Sequence, residues 1–340
     1  MNYCEGAAHG LAAAFTGYYH VNALTVSSSQ PHVDINGRGS GYRLSASTQT
    51  STSYVLPNTN DRWMHIAWKH AGSTQTLLVA SFRRGGTTQL SIEVNGSGYL
   101  VVRRGAYGSG TVLTNTVANP PIVAVGVWNW FWIEYIADTV AGRVRIYQNG
   151  VTSPVYDTGV TNTANAGVAG WDQFAWVTDG GGFSPIWGDL VTFTDAEKTA
   201  IFGATFPELY IPAVVPTGID TNTFVSGTFT DVDEIPWSTA DYAAANAIGQ
   251  ELILSNTGLS YTPPSVYAVA NTWYMERDGS ITTTQSRFKS GAANVTGSAV
   301  AGIGSAQYTE RQEFFPYNPD GSIVWTWGAV TSSKFGTKTV

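Results

Sequence analysis

At 340 residues the chain is long enough for two ordinary domains, each able to bury a core of its own. A hydrophobic share of 43% and an aromatic share of 13%, against only 12% charged residues, exclude a disordered polymer. The net charge of −7 and pI near 5.2 exclude a nucleic-acid partner, which would need a basic stripe to displace counterions.

Cys4 is the only cysteine, so there is neither an intrachain disulfide nor a thiolate metal site. The opening MNYCEGAAHG has no basic, then apolar, signal-peptide pattern, and no apolar run approaches the ~20 residues of a membrane span. The expectation is a chain made and folded in a cytosol, without a membrane partner.

In chain order, Gly6 to Ala14 reads as one short helical turn or an opening loop. His32 to Leu44 is turn-dense, with a short strand at each end, and Arg62 to Lys69 reads as a strand. A meander follows: Thr76 to Phe82, a turn at Gly85-Gly86, Thr88 to Val94, a turn over Asn95 to Gly98, and Tyr99 to Arg104. Short strands parted by turn residues every ten or so positions mark an antiparallel sandwich or barrel.

From Trp128 to Ala137 both alternating faces are aromatic or β-branched, which predicts a central strand covered on both sides, with Glu134 its one charge. Asp138 to Gly142 supplies a loop. Arg143 to Gln148 then alternates, Val144 and Ile146 facing inward and Arg143, Arg145 and Tyr147 on a wet face. Asn149-Gly150 suits a primed turn. Ala169 to Val177 adds a last aromatic strand, and Thr194 to Phe202 reads as a helix capped by Thr194 or Asp195.

Pro207, Pro212 and Pro216 place a linker at 205–218, between a first domain at 1–204 and a second at 219–340. In the second, strands are expected at Thr221 to Thr230, Gln250 to Leu254, Val266 to Met275, Ser280 to Lys289 and Ile323 to Val330. Ser238 to Ala247 reads as a helix or an extended connection. The fold class is all-β, a larger sandwich followed by a smaller one.

The order TQLSIEVNGSGYLVVRRG (Thr88 to Gly105), a Trp-rich strand ending Trp132-Ile133-Glu134-Tyr135, and GRVRIYQNG (Gly142 to Gly150) resembles a concanavalin-A-like, laminin-G-type jelly roll. The variant it is most similar to occurs in tailed-bacteriophage virion proteins. There the domain closes with a strand like Trp171-Asp172-Gln173-Phe174 and a segment like Asp179-Gly180-Gly181 to Val191. A second module follows, like Asp231 to Pro236 and Phe315 to Gly336 here. The closing strand has Asp172-Gln173 where those proteins carry an acidic pair. The resemblance implies a non-enzymatic virion component, a decoration, fibre or tail protein assembled in the host bacterial cytoplasm. Its partners would be other virion proteins and copies of itself, and no cofactor is implied.

Catalytic patterns are sparse. Glycosidases need two carboxylates ~5 Å apart when retaining, and the only comparable cluster, Asp231-Val232-Asp233-Glu234, sits outside the jelly roll beside a proline and reads as a capped turn. The histidines His9, His20, His32, His65 and His70 lack metal-ligand spacing and read as surface or hydrogen-bonded side chains. Gly180-Gly181-Gly182 opens no helix and makes a poor phosphate cradle.

The one candidate site is aromatic: Trp171, Asp172, Asp179 and Trp187, near Trp176, gather around the closing loop. Exposed Trp faces beside Asp can stack a sugar and bond its hydroxyls, whereas buried ones only pack or seal a subunit contact. A glycan-binding adhesin that recognises host-surface carbohydrate therefore stands as the alternative to a structural role.

Overall fold

In the computed structural model, residues 62–69, 76–177, 186–210, 214, 216–232, 242–258, 262–263, 265–275, 279–301 and 309–340 are described, with four short strands before residue 56. They fall into two compact units, one ending at Ile211 and the other beginning at Pro212.

The first unit is built from β1 (Tyr3–Glu5), β2 (Val33–Asp34), β3 (Ser40–Arg43), β4 (Ser51–Val55), β5 (Trp63–Lys69), β6 (Leu77–Arg84) and β7 (Thr87–Val94). Then come β8 (Leu100–Arg104), β9 (Thr111–Val112), β10 (Trp128–Ile136), β11 (Arg143–Gln148), β12 (Tyr156–Asp157), β13 (Gln173–Val177), β14 (Ile186–Phe193) and α1 (Asp195–Phe202). One sheet runs β12-β11-β10-β5-β14-β3-β2, with β1 also on β14, and the other runs β4-β13-β6-β7-β8-β9. All described pairings are antiparallel, as in a two-sheet jelly-roll sandwich.

Alternation explains the core. Phe131 and Tyr135 of β10 and Trp68 of β5 point between the sheets, where Tyr135 meets Phe82 of β6 at 5.2 Å and the Trp68 indole N–H donates to the Leu78 carbonyl at 3.1 Å. At the end of β11, Asn149 and Gly150 take φ of 52° and 77°, the left-handed pair that a primed turn requires. The Asn149 side chain there accepts the Trp130 N–H at 2.8 Å.

Of the outward residues of β10, Trp128, Trp130, Trp132 and Glu134 are buried and Ile136, at its end, is half-buried. Their cover is α1 and the strap 203–210 that follows it. Trp132 meets Phe193 at 5.4 Å, Phe202 at 5.0 Å and Phe206 at 6.2 Å. Phe206 also stacks on Tyr147 at 3.7 Å, so the face of β11 expected to be wet is covered at Tyr147 and open only at its arginines. Residues 205–210, expected as the start of a linker, are thus part of the first unit: Phe206, Leu209 and Tyr210 are too apolar to leave in water beside a tryptophan face. Helix α1 is held by a capping box, Thr194 accepting from the Glu197 N–H while the Glu197 carboxylate accepts from that of Thr194.

The second unit contains β15 (Pro216–Asn222), β16 (Glu251–Asn256), β17 (Val269–Met275), β18 (Thr283–Ser290), β19 (Ala293–Thr296), β20 (Val300–Ala301), β21 (Thr309–Phe315), α2 (Trp327–Ser332) and β22 (Lys334–Thr339). Its sheet runs β15-β16-β22-β18-β19, with β20 on β18, and the ribbon β17-β21 forms a second, two-stranded layer. Asn271 of the ribbon bonds both Ser286 and Gly336 of the sheet at 2.9 and 2.8 Å. Phe288 anchors the core against Phe315 and Trp325 at 4.6 and 5.5 Å.

Two expectations fail here, and one left open is settled for the described residues. The first strand is Pro216–Asn222 and stops before Thr223, since Phe229–Asp231 turns as a short 3-10 helix. Residues 242–247, part of the ambiguous Ser238 to Ala247 stretch, are extended and not helical, with Ala244 bridging Ser226. Ile323 to Val330 is not a strand: the Thr326 hydroxyl caps the Ala329 N–H and starts α2 inside it.

Candidate functional site

The structure separates the residues that sequence had gathered. Trp171 is 1% exposed, meets Phe82 edge-on at 4.7 Å and stacks on Tyr135 at 6.4 Å. A ring in that position has no face left for a sugar, which overturns its reading as a glycan contact. Asp172 accepts the Gly85 N–H at 3.2 Å and pairs with Arg84 at 3.5 Å, clipping the β6–β7 turn to the start of β13. Trp187 lies in the other sheet, its backbone opposite Trp68 and Tyr42. Asp179 and the glycines 180–182 lie outside the described residues, as do His9, His20, His32, His70, Asp233 and Glu234. Asp231 caps its 3-10 turn by accepting the Thr228 N–H, the bland reading its sequence suggested.

What the structure offers is a cleft of about 310 Å³ between β11, α1 and the strap, which sequence reasoning missed. Trp63, Tyr147 and Phe206 form its apolar wall, and Arg145, Thr152, Asp195, Lys198 and Thr199 its polar lining. The charges are tied inward. Arg145 pairs with the buried Glu134, which also holds Arg62 at 2.8 Å. Asp195 accepts the Trp63 indole N–H at 2.8 Å. Lys198 donates to the Gly203 carbonyl at 2.7 Å and sits 3.8 Å over the Phe206 ring, and burial lowers its pKa.

Two exposed hydroxyl-bearing threonines and the half-exposed Asp195 remain, a set suited to hydrogen-bonding a polar ligand over an aromatic wall. The signal in the sequence was the spacing of Phe202, Phe206, Leu209 and Tyr210, masked by Pro207 among them and by Pro212 and Pro216 beyond.

His65 lies beneath the same strap. It is fully buried, its Nδ1 2.9 Å from the Asp189 carbonyl oxygen and its Nε2 accepting the Leu209 N–H at 3.2 Å. Burial lowers its pKa from 6.5 to about 4, partly offset by the bond to Asp189. Among the described residues no group of three or more His, Cys, Asp or Glu side chains could hold a metal, and no helix is long and apolar enough to cross a membrane.

No protein-family model matches the chain, and no curated protein matches its sequence. Similar solved structures include the carbohydrate-binding module CBM66 from Bacillus subtilis, at 11% identity and a TM-score of 0.33, covering 52% of this chain and 98% of that one. Another is the CBM2 module of the evolved Dit of Lactobacillus casei BL23 phage J-1, at 12% and 0.31, covering 56% and 96%. A third is the Ca2+-bound exoplasmic/lumenal domain of VIP36, at 11% and 0.34, covering 61% and 96%. At these scores the similarity bears on neither the ligand nor the activity of this chain.

Proposed function

We propose that the chain is a non-enzymatic structural component of a tailed-phage virion, a decoration, fibre or tail protein that assembles through contacts between its β modules. The observation that carries this reading is the burial of its tryptophans. Five of those described in the first unit, Trp68, Trp128, Trp130, Trp132 and Trp171, are each 6% exposed or less and serve packing, and Trp63 at 4% shows only an edge to the cleft. The carboxylates Glu93, Glu134, Asp157 and Asp172 are each paired with an arginine, an arrangement that stiffens a module and leaves no free acid–base pair there. The charge-free loop 118–127 presents Ile122, Val125 and Val127, each more than half exposed, a surface suited to a subunit contact. A place in the virion and assembly in the host cytoplasm are what the sequence resemblance implies.

The cleft beside the strap favours a second reading, a glycan-binding adhesin. One experiment separates the two: antibody raised against the chain, applied to purified particles from its source and viewed by negative stain. Label on intact particles is expected. Intact particles without label, together with a specific hit for the chain on a glycan array, overturn the structural reading in favour of the adhesin.

A further inference from the structure

The strap is attached to the sheet in four places, and one of them can sense protons. Trp132 donates its indole N–H to the Pro207 carbonyl at 2.7 Å, Phe206 stacks on Tyr147, and Tyr210 meets Trp130 edge-on at 5.6 Å. None of these changes with acid. The fourth is the bond from Leu209 N–H to His65.

Chemistry fixes the state of that imidazole. A carbonyl only accepts, so Nδ1 must carry the proton that reaches Asp189; a backbone N–H only donates, so Nε2 must present a lone pair to Leu209. The backbone is shaped to hold this arrangement. Asp189 sits in a bulge of β14 between Gly188 and Val191 with φ of 49°, a left-handed conformation uncommon outside glycine. A second proton, on Nε2, would face the Leu209 N–H head-on. The titratable groups on the surrounding elements include Asp189 on β14, Glu134 on β10, Asp195, Glu197 and Lys198 on α1, and Glu208 on the strap. Glu134 is bound by Arg62 and Arg145, and Lys198 by Gly203.

We propose that His65 is an acid-operated latch: its protonation breaks the bond to Leu209 and frees residues 203–210 from the sheet. Opening bares the ring faces of Trp130, Trp132 and Tyr147 and lengthens the chain leading into the second unit. The inference rests on the first unit's geometry and is independent of the virion reading.

Because the closed form disfavours the proton, His65 binds it more readily in the open form between pH 6.5 and about 4. Hydrogen exchange of the full chain, corrected for the intrinsic rate, reads this directly. The protection of 203–210 is expected to fall about tenfold per pH unit across that window and to level off below it, while Trp128–Ile136 stays protected. In His65→Gln the slope should vanish. Should that variant misfold, the wild-type imidazole resonance decides: a titration midpoint near 4 supports the latch, and one near 6.5 overturns it. Flat strap protection from pH 6.5 to 4, or parallel loss in Trp128–Ile136, also overturns it.

Discussion

Two strands of this molecule show how burial is written into sequence. β10 is buried at every position but its last, and its residues are almost all apolar. β18 alternates half-buried and buried throughout, Thr283, Gln285, Arg287 and Lys289 outward against Thr284, Ser286, Phe288 and Ser290 inward. The difference lies in what covers the second face. Over β10 that cover is α1 and the strap; on the outward side of β18, Arg287 and Lys289 form ion pairs with Glu251 and Asp220. A continuous apolar run therefore reports a third layer, and alternation reports its absence at that strand.

The sharpest way to break this contrast is Trp132→Ala. It removes the ring at the centre of the covered face and its bond to Pro207, and should cost about 3–5 kcal/mol in urea unfolding monitored through the first unit. Next is Glu134→Gln. The carboxylate is buried while Arg62 and Arg145 still reach solvent, so the expected loss is about 2 kcal/mol, measured the same way. Thr194→Ala removes one half of the capping box that starts α1 and should lower stability by ~1 kcal/mol, with faster exchange over Asp195–Phe202.

The smallest effect belongs to β18's outward side. Hydrogen bonds from Lys289 and Lys334 hold the Asp220 carboxyl down at about 2. A depressed carboxylate contributes stability above its ordinary value of 3.8 and loses it as pH falls toward 2, an effect reduced here by solvent and salt. Acid melts of wild type and Asp220→Asn should therefore differ most above about pH 4, draw together between 4 and 2, and converge below 2. The His65 and Asp220 contributions thus answer to acid in different windows, the first from 6.5 downward, the second below about 4.

Much of this architecture could be read from local signals. The meander, the β10–β11 hairpin and the Thr194 cap follow from alternation, turn glycines and a hydroxyl three residues before a glutamate. What local signals could not show was pairing across the chain. His65 and Leu209 are 144 residues apart, and nothing near either foretells the bond. The prolines made 205–218 look like a linker, although Phe206 and Leu209 within it are core. Trp171 shows the limit for function: an aromatic beside an acid looks alike in sequence whether its ring faces water or Phe82. Thr326 likewise turned a β-rich stretch into a helix through one hydroxyl, a contest too even for composition to decide.

The position of the strap in the chain has a consequence for synthesis. β10 is complete at Ile136, yet its outer tryptophans are covered only when Phe202 and the strap to Tyr210 have been made, about 74 residues later. At 5–20 residues per second that is an interval of roughly 4 to 15 s in which a nascent sheet carries a bare tryptophan face. A ribosome stalled in that interval would hold an aggregation-prone form of this protein, and a holdase chaperone would find a binding surface there.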